Sequence, residues 1–201
     1  VTFNIIRKSS KSEQGNCYQT YQLEKEDQID ILSTNKSVYG YLAIKGGLDV
    51  ELFWNSCSTN TKAKIGPNDG KKLNIGDIIP VSRFNIDIPS RKIQYLNTKI
   101  EQIRVIQGTN YNYFSEEGKK FFFTKTFTVS KLTDRMGMRL EGSRIENIID
   151  TNIKSEGLIK GVIQVPADGN PIIMLSDHGT IGGYPKIGVV ISADYDRLVQ
   201  L

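Results

Sequence analysis

Two cysteines, one histidine, one tryptophan and six prolines in 201 residues leave several kinds of chemistry without material. Cys17 and Cys57 cannot by themselves build a disulfide framework or complete a structural zinc site, so two free thiols are expected. His178 is the sole histidine, which excludes paired-histidine metal motifs and all-histidine zinc sites. A lone histidine can still serve as a base, although a surface or hydrogen-bonded structural role accounts for it more simply. No Gly-x-Ser-x-Gly elbow occurs, so an esterase-type serine nucleophile has no place here. No run approaches the roughly 18–20 consecutive apolar residues of a membrane helix. The opening residues Val1–Lys8 lack the basic, apolar and small-residue layout of a secretory signal. No membrane partner and a cytoplasmic location are the expectations.

Neither sign of charge dominates. Lys and Arg total 26 against 22 Asp and Glu, and the net +4 is spread along the chain. Nucleic-acid binding concentrates cations on one face, so no nucleic-acid partner is expected. The densest group, Lys62, Lys64, Lys71 and Lys72, is interrupted by Gly66, Pro67 and Asp69 and reads as a solvated loop. Within it, Gly66–Lys72 has three residues between its glycines where a phosphate-binding loop has four. Lys72 also occupies the place of the magnesium-binding Ser or Thr, so a turn is the expectation.

Isoleucine (26) and glycine (18) are abundant, a texture of short strands punctuated by turns. Strands are expected at Asp27–Leu32, Val38–Lys45, Ile75–Val81, Gln102–Gln107, Phe121–Val129, Lys160–Val165, Pro171–Leu175 and Lys186–Ser192. Short helices are expected at Asn112–Gly118 and from Ser192 or Asp194 to the chain end. The polar stretch Asn85–Lys99 suggests a junction, dividing the chain into units 1–95 and 96–201. The fold class is mainly β, a barrel or sandwich with a few short helices.

The second half carries the chemistry. Polar residues capable of forked hydrogen bonds sit at strand ends beside glycines that admit a ligand to the backbone. Arg135, Arg139 and Glu141 invite an ion-paired cluster, since buried charges are costly unless paired. Arg139 and Glu141 alternate along a strand and could equally bridge on one face. Gln164, Asp177, Thr180, Gly182, Gly183, Tyr184 and Lys186 suggest a site. There Asp177 accepts a proton or an amide N–H, and Thr180 with the glycine amides donates to an oxyanion. Asp168-Gly169-Asn170 reads as a hairpin turn.

Four blocks make the sequence resemble a known family. They are Thr133-Asp134-Arg135-Met136-Gly137-Met138-Arg139-Leu140-Glu141-Gly142, Ser155-Glu156-Gly157, the run Gly161–Ile172, and the run Asp177–Pro185. Weaker agreement covers Tyr41–Gly47, Ser58-Thr59 and Gly76-Asp77. The family contains the C-type 5-oxoprolinase component, the kinase-inhibitor antagonist, and subdomains A and B of urea amidolyase-type carboxyltransferases; it is also called allophanate hydrolase subunit 2. Departures from its pattern are Asn55–Thr59, Gly66-Pro67 and Gly70-Lys71, and the family's N-terminal motifs have no counterpart. The resemblance is to the family's central portion.

The resemblance implies cyclophilin-like β-barrel subdomains, the first incomplete relative to the family. It implies a subunit of an ATP-dependent hydrolase of the 5-oxoprolinase type, opening 5-oxoproline to glutamate. Its partners would be a B-type 5-oxoprolinase component, with subdomains C and D, and an A-type one, with ATP used by the assembly. In that reading Asp177 and Gln164 orient the amide, and Thr180 with the Gly182 and Gly183 backbone stabilises the oxyanion. Arg135, Arg139 and Lys186 bind carboxylate or phosphate, Glu141 and Glu156 either bind substrate or orient those groups, and Tyr184 lies beside the substrate. The alternative is a biotin-dependent carboxyltransferase half. Met136-Gly137-Met138 lacks an attachment lysine, so biotin would arrive on a separate carrier. A third reading is a noncatalytic module that binds a kinase inhibitor.

Overall fold

Alternation of Phe3 and Ile5 with Thr2 and Asn4 makes Thr2–Ile6 (β1) a strand, and Ile5 is its fully buried residue. In the computed structural model, which describes residues 1–34, 37–82, 89–93 and 100–201, the chain divides into two units, Val1–Leu96 and Asn97–Leu201.

In the first unit β1 lies between Ser12–Gln14 (β2) and Gln28–Ser33 (β3), antiparallel to both. Arg7 closes one end of this sheet, with Nη1 2.9 Å from Asp27 and Nη2 2.5 Å from Glu13. The expected strands Val38–Lys45 and Ile75–Val81 do not form. Leu48 and Val81 make one isolated antiparallel bridge, and Tyr41, Leu42, Ile75 and Ile78 are exposed. An apolar run becomes a strand only where a neighbouring strand satisfies its backbone and a core receives its side chains. Gly66–Lys72 is a tight turn: Asn68–Gly70 forms one 3-10 turn, closed by Gly70 N–H to Pro67 O at 3.2 Å and Lys71 N–H to Asn68 O at 2.9 Å. Lys62, Lys64, Lys71 and Lys72 are all exposed, as are the free thiols Cys17 and Cys57. The expected junction Asn85–Lys99 falls largely outside the described residues.

The second unit is organised by one antiparallel sheet of six strands. They are Val105–Gln107 (β4), Phe127–Val129 (β5), Gly137–Gly142 (β6), Val162–Gln164 (β8), Ile172–Met174 (β9) and Lys186–Val190 (β11). Their order is β4-β11-β8-β9-β6-β5. Glu156–Gly157 (β7) and Ile181–Gly182 (β10) form a separate two-stranded ribbon. Phe114, Met138, Ile145, Ile163, Val165, Ile173, Leu175, Ile187 and Val190 build the core, with Tyr195 and Leu198 of helix α2 (Ser192–Leu198). The fold is mainly β with two α-helices among the described residues.

The first helix is displaced from its expected place. It runs Glu116–Thr124 (α1), capped by Ser115, whose side chain accepts from Gly118 N–H at 3.0 Å. Gly118 therefore lies in the first turn instead of ending the helix. Phe121–Thr124, expected to begin a strand, completes it, and the strand starts at Phe127. Asp168-Gly169-Asn170 forms the expected turn between β8 and β9, with Gly169 N–H donating to Pro166 O at 2.9 Å. Buried Asp194 ties α2 to the chain entering β4: Arg104 donates to it from its backbone N at 2.8 Å and from its guanidinium at 2.9 and 2.8 Å.

Candidate functional site

Strand β11 begins at Lys186, whose cross-strand partner on β8 is Gln164. Both side chains are buried, although a lysine or glutamine at a strand end is ordinarily solvated. The buried ammonium is fully committed. Lys186 Nζ lies 3.1 Å from Glu156 Oε2, 3.1 Å from Tyr184 O and 3.4 Å from Gly182 O. An ammonium has three N–H donors, so these three acceptors use all of them. Of the Lys186–Glu156 pair the lysine side chain is 4% exposed and the glutamate 43%. The carboxylate faces outward and the cation stands behind it.

The Lys186 ammonium holds the Glu156 carboxyl below the usual glutamate range, against a smaller upward effect of burial. Glu156 is placed by the two-stranded ribbon, where it pairs with Gly182. A side chain at Gly182 would put Cβ 2.5 Å from Gln164 Nε2 and 2.8 Å from Leu158 Cδ1, so the glutamine lies directly on bare backbone. Gln164 Nε2 donates to Tyr184 O at 3.3 Å. Gly183 O accepts from Ile153 N–H, and Thr180 O from Leu158 N–H, each at 2.9 Å. Thr180 and Tyr184 are exposed at this edge. Gln164, Lys186, Glu156, Gly182 and Tyr184 are thus brought together.

Asp177 belongs to a second grouping. It follows β9 in a turn that continues the β6–β9 ladder, its N–H donating to Arg135 O at 3.0 Å. Its carboxylate receives the Arg135 guanidinium, Nε to Oδ2 at 2.8 Å and Nη2 to Oδ1 at 3.4 Å. The anticipated Arg135–Arg139–Glu141 cluster is not what forms. Glu141 takes the Ser130 hydroxyl at 2.5 Å, Arg135 takes Asp177, and Arg139 is exposed on β6. Strand alternation puts Arg139 and Glu141 on one face, but β5 runs alongside and leads to Ser130, which reaches Glu141 first. His178 Nδ1 lies 2.6 Å from Gly179 O.

Two residues of the first grouping are not singled out by the sequence motifs. Thr109 and Asn110 follow β4; Asn110 Oδ1 accepts from Lys186 N–H at 3.0 Å and from the Thr109 hydroxyl at 3.3 Å. The available signal is Gly108-Thr109-Asn110, a glycine and two polar residues just after a strand.

No described helix is long and apolar enough to cross a membrane, and no cluster of potential metal ligands occurs among the described residues.

A mainly antiparallel fold with polar groups converging on a glycine-lined sheet edge defines a class. Residues 6–201 match the family model for the carboxyltransferase domain, subdomain A and B, and the chain belongs to that family. It is 36% identical over 163 residues to the 5-oxoprolinase C component of Escherichia coli, covering 80% of this chain and 52% of that protein. It is 31% identical over 192 residues to the 5-oxoprolinase C component of Haemophilus influenzae, covering 92% and 59% respectively. Urea amidolyase of Saccharomyces cerevisiae is 25% identical over 201 residues, which are 90% of this chain and 11% of that protein. The chain therefore spans a little over half the length of the two 5-oxoprolinase components. The crystal structure of Kluyveromyces lactis urea carboxylase shares the fold with a TM-score of 0.83 at 21% identity, covering 100% of this chain and 20% of that one.

Proposed function

We propose that this chain is the subdomain A and B portion of an ATP-dependent 5-oxoprolinase-type amidase, acting in an assembly with B-type and A-type 5-oxoprolinase partners. The observation that carries the reading is the outward-facing Glu156 carboxylate on a buried, fully committed Lys186. An anion fixed in this way is an acceptor for the N–H of a cyclic amide. Identity to two 5-oxoprolinase C components, above that to urea amidolyase, supports this branch.

In this reading Glu156 meets the substrate, one of the two roles expected of it, whereas Lys186 does not and instead keeps the glutamate charged. Gln164 shapes the floor beneath Gly182. Thr180 and the Gly182–Gly183 backbone face the developing oxyanion, where preset donors act most strongly. Asp177, oriented by two contacts from Arg135, is an acceptor for the second polar end of the substrate. Arg139, Glu141 and Tyr184 border the site. ATP belongs to the assembly. The Gly66–Lys72 turn does not fit a phosphate cradle, because Lys71 is paired with Asp69 at 3.2 Å and the Gly70 and Lys71 N–H groups are spent closing the turn onto Pro67 O and Asn68 O.

The test is coexpression with the B-type and A-type partners and measurement of glutamate released from 5-oxoproline. ATP-dependent release lost in Glu156→Gln supports the proposal. Carboxybiotin-dependent transfer to urea instead would establish the carboxyltransferase reading. Binding of a kinase inhibitor-like partner without turnover would establish the noncatalytic one.

A further inference from the structure

Strand β11 does not run evenly beside β8. Gly188 pairs with Ile163 and Val189 with Val162, but Lys186 pairs with Gln164, so Ile187 is an extra residue in a β-bulge. Cross-strand partners share a face of the sheet, and the two faces differ here. Ile163 and Ile187 belong to the main core, whereas Val162, on the opposite face by alternation, packs with Leu158 and Met174. Unbroken alternation would carry Lys186, two residues before Gly188, to the face of Ile163 and into apolar packing. The bulge turns it to the face of Gln164 and Val162, where Glu156, Gly182 O and Tyr184 O receive its ammonium.

The bulge is held from the β4 side. Lys186 N–H donates to Asn110 Oδ1 at 3.0 Å, and Lys186 O accepts from Asn110 N–H at 3.3 Å. One residue thus takes the N–H and the C=O of Lys186, beyond the last ladder pair of Gln107 with Gly188. Gly108 N–H donates to Ile187 O at 3.0 Å, the next carbonyl of the bulge. Only glycine admits this approach: a Cβ at Gly108 would stand 2.3 Å from Lys186 O and 2.8 Å from Gly188 N. Asn110 is 4% exposed, and its oxygen also accepts from the Thr109 hydroxyl at 3.3 Å, so both lone pairs are engaged. A backbone N–H left unbonded at this depth is costly, which ties the bulge to this one side chain.

We propose that Asn110 is a positioning residue: with Gly108 it holds the β11 bulge that aims the Lys186 ammonium at the Glu156 carboxylate. It acts through the Lys186 backbone and not on the substrate. The bearing of this device on turnover rests on the assignment of Glu156 as the substrate-facing group; the bulge itself does not.

Asn110→Ala removes the acceptor of Lys186 N–H, and Gly108→Ala forces β4 away from Lys186 O by an independent route. In the full chain, acetylation of lysines by acetic anhydride, read by mass spectrometry, reports the exposure of the Lys186 ammonium, with exposed Lys154 as internal reference. In wild type Lys186 is expected to react far more slowly than Lys154. In each variant it should react about tenfold faster than in wild type, or more, the scale of one lost hydrogen bond. Amide hydrogen exchange at Ile163 and Ile173 should stay slow, as a loss confined to the bulge requires. An unchanged Lys186 rate in either folded variant would overturn the proposal. So would fast exchange throughout the sheet in both, which would make Asn110 and Gly108 supports of the fold and not of the lysine. The wild-type Lys186 amide gives a check that needs no variant: its exchange should be slow, and fast exchange would overturn its bond to Asn110. In the coexpressed assembly, Asn110→Ala is expected to lower kcat/KM for 5-oxoproline by about tenfold. Faster acetylation of Lys186 with unchanged kcat/KM would retain the positioning of the lysine and overturn the assignment of Glu156 to the substrate.

Discussion

Lys186 and Glu156 lie 3.1 Å apart with opposite exposures, the cation enclosed and the carboxylate open to solvent. The arrangement inverts the usual surface pair, in which both ends are solvated and the interaction contributes little. Enclosing the lysine removes it from competition for substrate anions. It also leaves Glu156 charged at pH values where an ordinary glutamate begins to protonate.

Removing that support should be worse than removing the carboxylate. Lys186→Met leaves Glu156, Tyr184 O and Gly182 O without their shared donor, whereas Glu156→Gln retains a polar group at the surface. Thermal unfolding followed by circular dichroism should show the larger loss of Tm in Lys186→Met. Equal losses would contradict the enclosed-cation account.

Asp177→Asn should lower turnover of the assembly by about 10²-fold, the scale of an oriented polar catalytic contact. Arg135→Gln should lower it as well. Because the two side chains share one forked contact, the double variant should be no worse than the more damaging single one. Additive losses would mean that Asp177 and Arg135 act separately.

Gly182→Ala should disturb the site while sparing the core. Its Cβ would enter within 2.5 Å of Gln164 Nε2, and the displaced amide loses its bond to Tyr184 O. The expected outcome is shifted Gln164 side-chain amide NMR signals, with backbone signals of the six-stranded sheet largely unchanged. Identical Gln164 signals would contradict the close packing.

Asp194 gives a pH dependence of defined sign. The Arg104 guanidinium and backbone N–H lower its pKa from 3.8 to about 2. A depressed carboxyl pKa stabilises the fold fully above the unfolded value and loses that contribution as pH falls through the folded one. Wild type should therefore be more stable than Asp194→Asn at pH 5, and the difference should close between about pH 4 and pH 2. A gap unchanged at pH 2 would show that the contact does not depend on charge.

Legibility in the sequence follows the partners each residue needs. Val162–Gln164, Ile172–Met174 and Lys186–Val190 are readable as strands because β-branched runs bounded by Gly and Pro suit a sheet covered on both faces. Phe121-Phe122-Phe123 misleads because three consecutive aromatics have no period. The Ser115 cap and the acidic Glu116 and Glu117 of the first turn are the decisive signal. Among site residues, Gln164, Lys186, Glu156 and Gly182 stand in recognisable blocks, but which charge becomes enclosed depends on cross-strand register. Asn110 lies 76 positions from Lys186, a separation that no local pattern spans.

The most direct measurement of the central claim is glutamate release from 5-oxoproline by the coexpressed assembly, comparing wild type with Glu156→Gln. The account predicts ATP-dependent release that falls by about 10²-fold in the variant while the assembly stays intact. Wild-type rates in Glu156→Gln, or no release from a folded wild-type assembly, would contradict it.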